Sequence, residues 1–73
     1  MFDKVKQLLA EELQIDEAEI TMDAELSKDL NINSIELADL IMMCEDKFGI
    51  EISEDDSNAF VTVGDVVNYL ENL

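Results

Sequence analysis

The sequence predicts an all-α domain, a small four-helix bundle with a long first loop and a short third helix. Three observations carry that expectation. Apolar residues recur at helical spacing in three separate segments. Residues suited to capping a helix start, each followed three positions later by an acid, stand at Asn33, Ser53 and Thr62. No proline occurs in the 73 residues to break a helix. The whole chain, 1–73, reads as one domain with a thin core, because a domain this small buries only about 60% of the surface its unfolded form exposes.

In the first segment Phe2, Val5, Leu8, Leu9 and Leu13 share one side of a helical wheel, with Lys4, Lys6, Gln7, Glu11 and Glu12 elsewhere. The pattern predicts a helix from Phe2 to Gln14. From Asp16 to Asp29 the periodicity is lost, and the segment reads as a long ordered loop. Connections beyond about 12 residues need anchoring in compact domains, and Ile20, Leu26 and Leu30 are the expected anchors.

The second helix is expected over Ser34 to Phe48. Asn33 caps it, Glu36 completes a capping box, and Leu37, Leu40, Ile41, Cys44 and Phe48 form its apolar stripe. Gly49 ends it. Ser34 falls at the first helical position, where free N–H groups and the helix dipole favour an attached phosphate by about 0.3–1 kcal/mol. The other face carries Glu36, Asp39, Glu45 and Asp46, and beside them Ile35, Met42 and Met43 are more exposed than a core requires. Adaptable apolar side chains among acids suggest a docking face.

Ile50 and Ile52 flank Glu51 in a short extended link. Ser53 and Asp56 then predict a short helical turn ending near Ala59, and Phe60 and Val61 return apolar surface to the core. Thr62-Val63-Gly64-Asp65 predicts a capping box for a last helix whose buried stripe is Val63, Val66, Val67 and Leu70.

Composition excludes several functions. Nineteen acidic residues against four lysines give a net charge of −15, which disfavours nucleic acid and anionic membrane as partners and points to a basic protein surface. Histidine is absent and Cys44 is the only cysteine, which removes the usual zinc sites, His-dependent nucleophilic catalysis and any internal disulfide. The acidic stretches lack the ligand spacing of a calcium loop. With no signal-peptide pattern and no apolar run of membrane-spanning length, the expectation is a soluble, cytoplasmic monomer that is not an enzyme.

The residues around Ser34 resemble the acyl carrier protein family, whose members bear a 4′-phosphopantetheine arm on a serine in an Asp-Ser-Leu motif. The likeness spans essentially the entire chain. It takes in Asp29-Leu30, Glu36, the pattern from Leu40 to Phe48, the Gly49-Ile50-Glu51-Ile52 link and the closing Thr62-Val63-Gly64-Asp65-Val66-Val67. Asn31-Ile32 stands where the family usually has a glycine-led pair, and Asn33 stands for its aspartate, keeping the cap and dropping a charge. Cys44 and Phe60 replace larger and smaller aliphatic residues respectively, and the resemblance therefore implies an acyl-accepting space between the helices that is reshaped at these two positions.

The resemblance implies that Ser34 holds the arm through a phosphodiester and that the arm's terminal thiol holds an acyl chain as a thioester. It also implies partners: a phosphopantetheinyl transferase, and acyl-transferring enzymes of fatty acid or related biosynthesis. Their basic patches would recognise Ile35, Glu36, Asp39, Met42, Glu45 and Asp46. Exposed ion pairs of about 0.2–1 kcal/mol each suit transient, salt-sensitive docking. Two alternatives stay open: a carrier of aminoacyl or polyketide cargo and, from another class, an acidic protein that mimics nucleic acid in a basic groove.

Overall fold

The computed structural model describes residues 1–73, and the four expected helices are all present. They are α1 (Phe2–Glu12), α2 (Ser34–Phe48), α3 (Glu54–Asn58) and α4 (Val63–Glu71). α1 packs against both α2 and α4, and no strand is formed. Fifteen apolar residues make one buried cluster. Val5, Leu8 and Leu9 enter it from α1, Leu40 and Cys44 from α2, and Val63, Val66, Val67 and Leu70 from α4.

α1 stops two residues short of the expected end. Gln14 takes a left-handed conformation (φ 55°), and the Ile15 N–H turns back to the Leu9 carbonyl at 3.3 Å. That turn carries Ile15 to the edge of the core instead of around another helical turn. α2 has the expected limits. Its end is closed by Gly49 at φ 64°, with the N–H groups of Gly49 and Ile50 both directed to the Glu45 carbonyl.

The long loop is more structured than its lost periodicity suggests. A 3-10 turn spans Glu17–Glu19, opened by the Asp16 carboxylate accepting from the Ala18 N–H at 3.0 Å. Farther on, the loop is laced to the start of α4. The Leu26 N–H donates to the Val61 carbonyl (2.9 Å), the Val63 N–H to Ala24 (3.0 Å) and the Gly64 N–H to Met22 (2.9 Å). Gly64 is required by this closeness, because a Cβ there would lie 2.9 Å from the Met22 carbonyl oxygen. The anchors Ile20, Leu26 and Leu30 are buried as expected, and Ala24 and Ile32 join them. Asn31, between two buried residues, adopts φ 55°, which asparagine tolerates better than most residues.

α3 buries none of its residues. The Ser53 hydroxyl oxygen accepts from the Asp56 N–H at its start (3.1 Å), without the reciprocal bond of a full capping box. Its hold on α4 is the Tyr69 hydroxyl, which donates to the Asp56 carboxylate at 3.1 Å. Phe60 is buried, but the Val61 side chain is 53% exposed, against the expectation that both face inward. Val61 serves through its backbone, accepting from Leu26 and donating to Asp65. The Thr62 box is complete: Asp65 donates to the Thr62 hydroxyl oxygen, and its carboxylate accepts from the Thr62 and Val61 N–H groups.

Candidate functional site

The site is built on the start of α2. Asn33 is extended (φ −86°, ψ 177°), and its side-chain oxygen accepts from the Glu36 N–H at 2.8 Å while the Glu36 carboxylate accepts from the Asn33 N–H at 3.2 Å. This reciprocal box fixes where the helix begins. Ser34 follows directly and is exposed. The N–H groups of Ser34 and Ile35 have no acceptor within the protein, so two donors at the positive helix end lie beside the serine hydroxyl.

The residues expected to form the docking face separate into a centre and two flanks. At about 100° per residue, Ile35, Asp39, Met42 and Asp46 fall on one line along α2, opposite the buried Leu40 and Cys44. All four are exposed, with Ile35 at 75% and Met42 at 60%. Glu36 and Glu45 lie on opposite flanks and are half-buried. Each has an internal use, Glu36 in the capping box and Glu45 in accepting from the Ile52 N–H at 2.8 Å to hold the link after α2. Met43 does not belong to the exposed set, since it packs against the core. Burial pushes the Cys44 thiol up to about 11, with the neighbouring Glu45 charge adding to the effect, so it is an inert core residue at neutral pH.

Beside Ser34 the fold makes a cleft of about 420 Å³. Leu26, Ile32, Leu37, Phe60 and Val61 supply its apolar lining, with Asn33 and Ser34 at its polar side. Of the two residues at which the resemblance implies a space between the helices, Phe60 lines this cleft and Cys44 does not. The walls of the cleft come from the long loop, α2 and the link before α4, which periodicity within any one segment cannot bring together. No group of three or more His, Cys, Asp or Glu side chains is arranged to hold a metal ion, although the surface is crowded with acids.

A serine displayed at a helix start, free N–H donors beside it and an apolar cleft at its side define a small helical domain suited to holding a phosphate-linked group. A family model described as "Phosphopantetheine attachment site" matches residues 3–70. The chain is 42% identical over 72 residues to the acyl carrier proteins of Helicobacter acinonychis (strain Sheeba) and Helicobacter pylori (strains G27 and HPAG1), covering 99% of this chain and 92% of each relative. This chain belongs to the acyl carrier protein family. Its members are carriers, not enzymes, and the group they bear is 4′-phosphopantetheine. The start of α2 suits such a group: an exposed hydroxyl for the phosphodiester, and unpaired N–H groups for its anionic oxygens.

Proposed function

We propose that Ser34 is the attachment residue and that the chain delivers acyl groups to biosynthetic enzymes, those of fatty acid synthesis first among them. The observation that carries the reading is the exposed Ser34 hydroxyl beside two unpaired N–H groups at the start of α2, in a chain whose family bears phosphopantetheine. When bound, the arm supplies a thiol that holds the acyl chain as a thioester. The protein's own residues position and address it. Asn33 and Glu36 set the helix start that presents Ser34, and the Ser34 and Ile35 N–H groups favour the phosphodiester charge.

Partner recognition falls to the exposed line of α2, with Asp39 and Asp46 as the charges free to meet basic patches and Ile35 and Met42 as the apolar contacts. Glu36 and Glu45 contribute from the flanks with the carboxylate oxygens their internal bonds leave open. A charge of −15 speeds encounter with basic enzymes while each exposed pair adds little to residence time, which suits a monomeric cytoplasmic shuttle. No helix is long and apolar enough to cross a membrane.

Incubation with coenzyme A and a promiscuous phosphopantetheinyl transferase tests the reading. The intact protein gains the mass of one phosphopantetheine and Ser34→Ala gains none. A protein that stays unloaded while a control carrier is loaded overturns it.

A further inference from the structure

An oxidant that reaches this protein meets four methionines in very different settings. Met43 packs against the core from the flank of α2, while Met22 and Met1 are 39% and 37% exposed. The Met22 side chain also lies against the start of α4, with its methyl carbon 3.5 Å from where a Cβ on Gly64 would stand. Met42 is 60% exposed and is not among the apolar residues packed against the core. Its thioether is therefore the most accessible sulfur of the chain. The only thiol, Cys44, is buried and stays protonated at neutral pH, since burial pushes it up to about 11.

The place of Met42 gives its oxidation a consequence, which rests on the carrier reading. Met42 stands just over two helical turns after Ser34, about 12 Å along the axis of α2. A specific interface buries roughly 800 Å² of each partner, a patch on the order of 30 Å across, so an enzyme that reaches Ser34 covers Met42. The neighbouring Asp39 and Asp46 repel anionic oxidants, but hydrogen peroxide is neutral. One peroxide oxygen passes to the Met42 sulfur, the thioether is oxidised by two electrons to the sulfoxide, and the peroxide is reduced to water. The product trades an adaptable apolar contact for a polar one, and burying the new oxygen without a donor weakens an interface by about tenfold. The core is untouched, because Met42 contributes nothing to it.

We propose that Met42 is a reversible oxidation site, taking one oxygen from a hydroperoxide, and that its sulfoxide weakens the docking of enzymes on α2. The test treats the unloaded protein with hydrogen peroxide, removes the oxidant and cleaves a sample after lysine. Met42 and Met43 then share the peptide 29–47, Met22 lies in 7–28 and Met1 in 1–4. Fragmentation should place the first added oxygen on Met42, ahead of the other three. Loading from coenzyme A by a phosphopantetheinyl transferase should then need about tenfold more of the protein to reach half its full rate, with the full rate unchanged, because docking and not chemistry is impaired. A methionine sulfoxide reductase should restore the untreated value, and Met42→Leu should show one value before and after peroxide. Oxidation no faster at Met42 than at the half-buried Met43 overturns the site. Equal loading before and after its oxidation overturns the effect on docking, as does a loss of helicity by circular dichroism, which would place the effect in the fold. If the untreated protein is not loaded, the carrier reading falls and takes the docking effect with it, whereas loading that oxidation leaves unchanged removes this inference alone.

Discussion

Single residues at the edges of the helices decide whether the site is presented at all. Asn33 keeps the cap with a neutral oxygen, so the box that starts α2 needs no aspartate. Asn31 is explained by its backbone. At φ 55° it turns the chain so that Leu30 and Ile32 both enter the core, and asparagine is among the few residues besides glycine at ease there. Asn31→Val should therefore cost about 1–2 kcal/mol in urea unfolding, while Asn31→Gly should stay within about 0.5 kcal/mol of the parent. Equal stability of all three proteins would contradict this reading of the turn. The substitution for a glycine-led pair was visible in the sequence. Its tolerance depends on a dihedral angle that no periodicity reports.

At the scale of elements, α2 was legible at both ends and α4 at its start, because both begin with side chains that cap and then show a clear apolar stripe, ending in α2's case at a glycine. α1 was read too long because Leu13 continues its stripe although Gln14 has already left the helix. The structure in the long loop was hidden because its bonds run to Val61, Val63 and Gly64, some forty residues away. The Asp65 carboxylate holds that junction, and its bonds from the Thr62 and Val61 N–H groups keep it below the ordinary value of 3.8. A carboxyl depressed in the folded state stabilises above its unfolded value, and the contribution is lost as pH falls through the folded one. Between pH 5 and 2 Asp65→Asn should accordingly lose stability less steeply than the parent, and parallel curves would deny Asp65 this role. On α2, Asp39→Lys with Asp46→Lys should slow acyl transfer to a partner enzyme at low salt, with the difference shrinking as salt is added. Unchanged transfer at low salt would remove that face from recognition.

The whole molecule joins a thin apolar core to a surface of like charge. Fifteen buried residues face the self-repulsion of a net charge of −15, so shielding the surface should stabilise the fold without changing any internal contact. The melting temperature should rise through a magnesium titration, and a flat curve would show that repulsion is not what limits stability. The same charge was enough to point from the sequence to a basic partner. The resemblance pointed to a space between the helices at Phe60, but its walls and its place beside Ser34 were not legible there, because the cleft exists only where the loop, α2 and Phe60 meet.

Ser34 as the attachment residue is tested most directly by locating the added mass. The other serines are Ser27, Ser53 and Ser57, the latter two engaged by Asp56 and Glu54 in the first turn of α3. Cleavage after Lys28 and Lys47 yields a peptide, 29–47, in which Ser34 is the sole serine. The whole phosphopantetheine mass should lie on that peptide at Ser34. Its appearance on 7–28 or 48–73 would contradict the account.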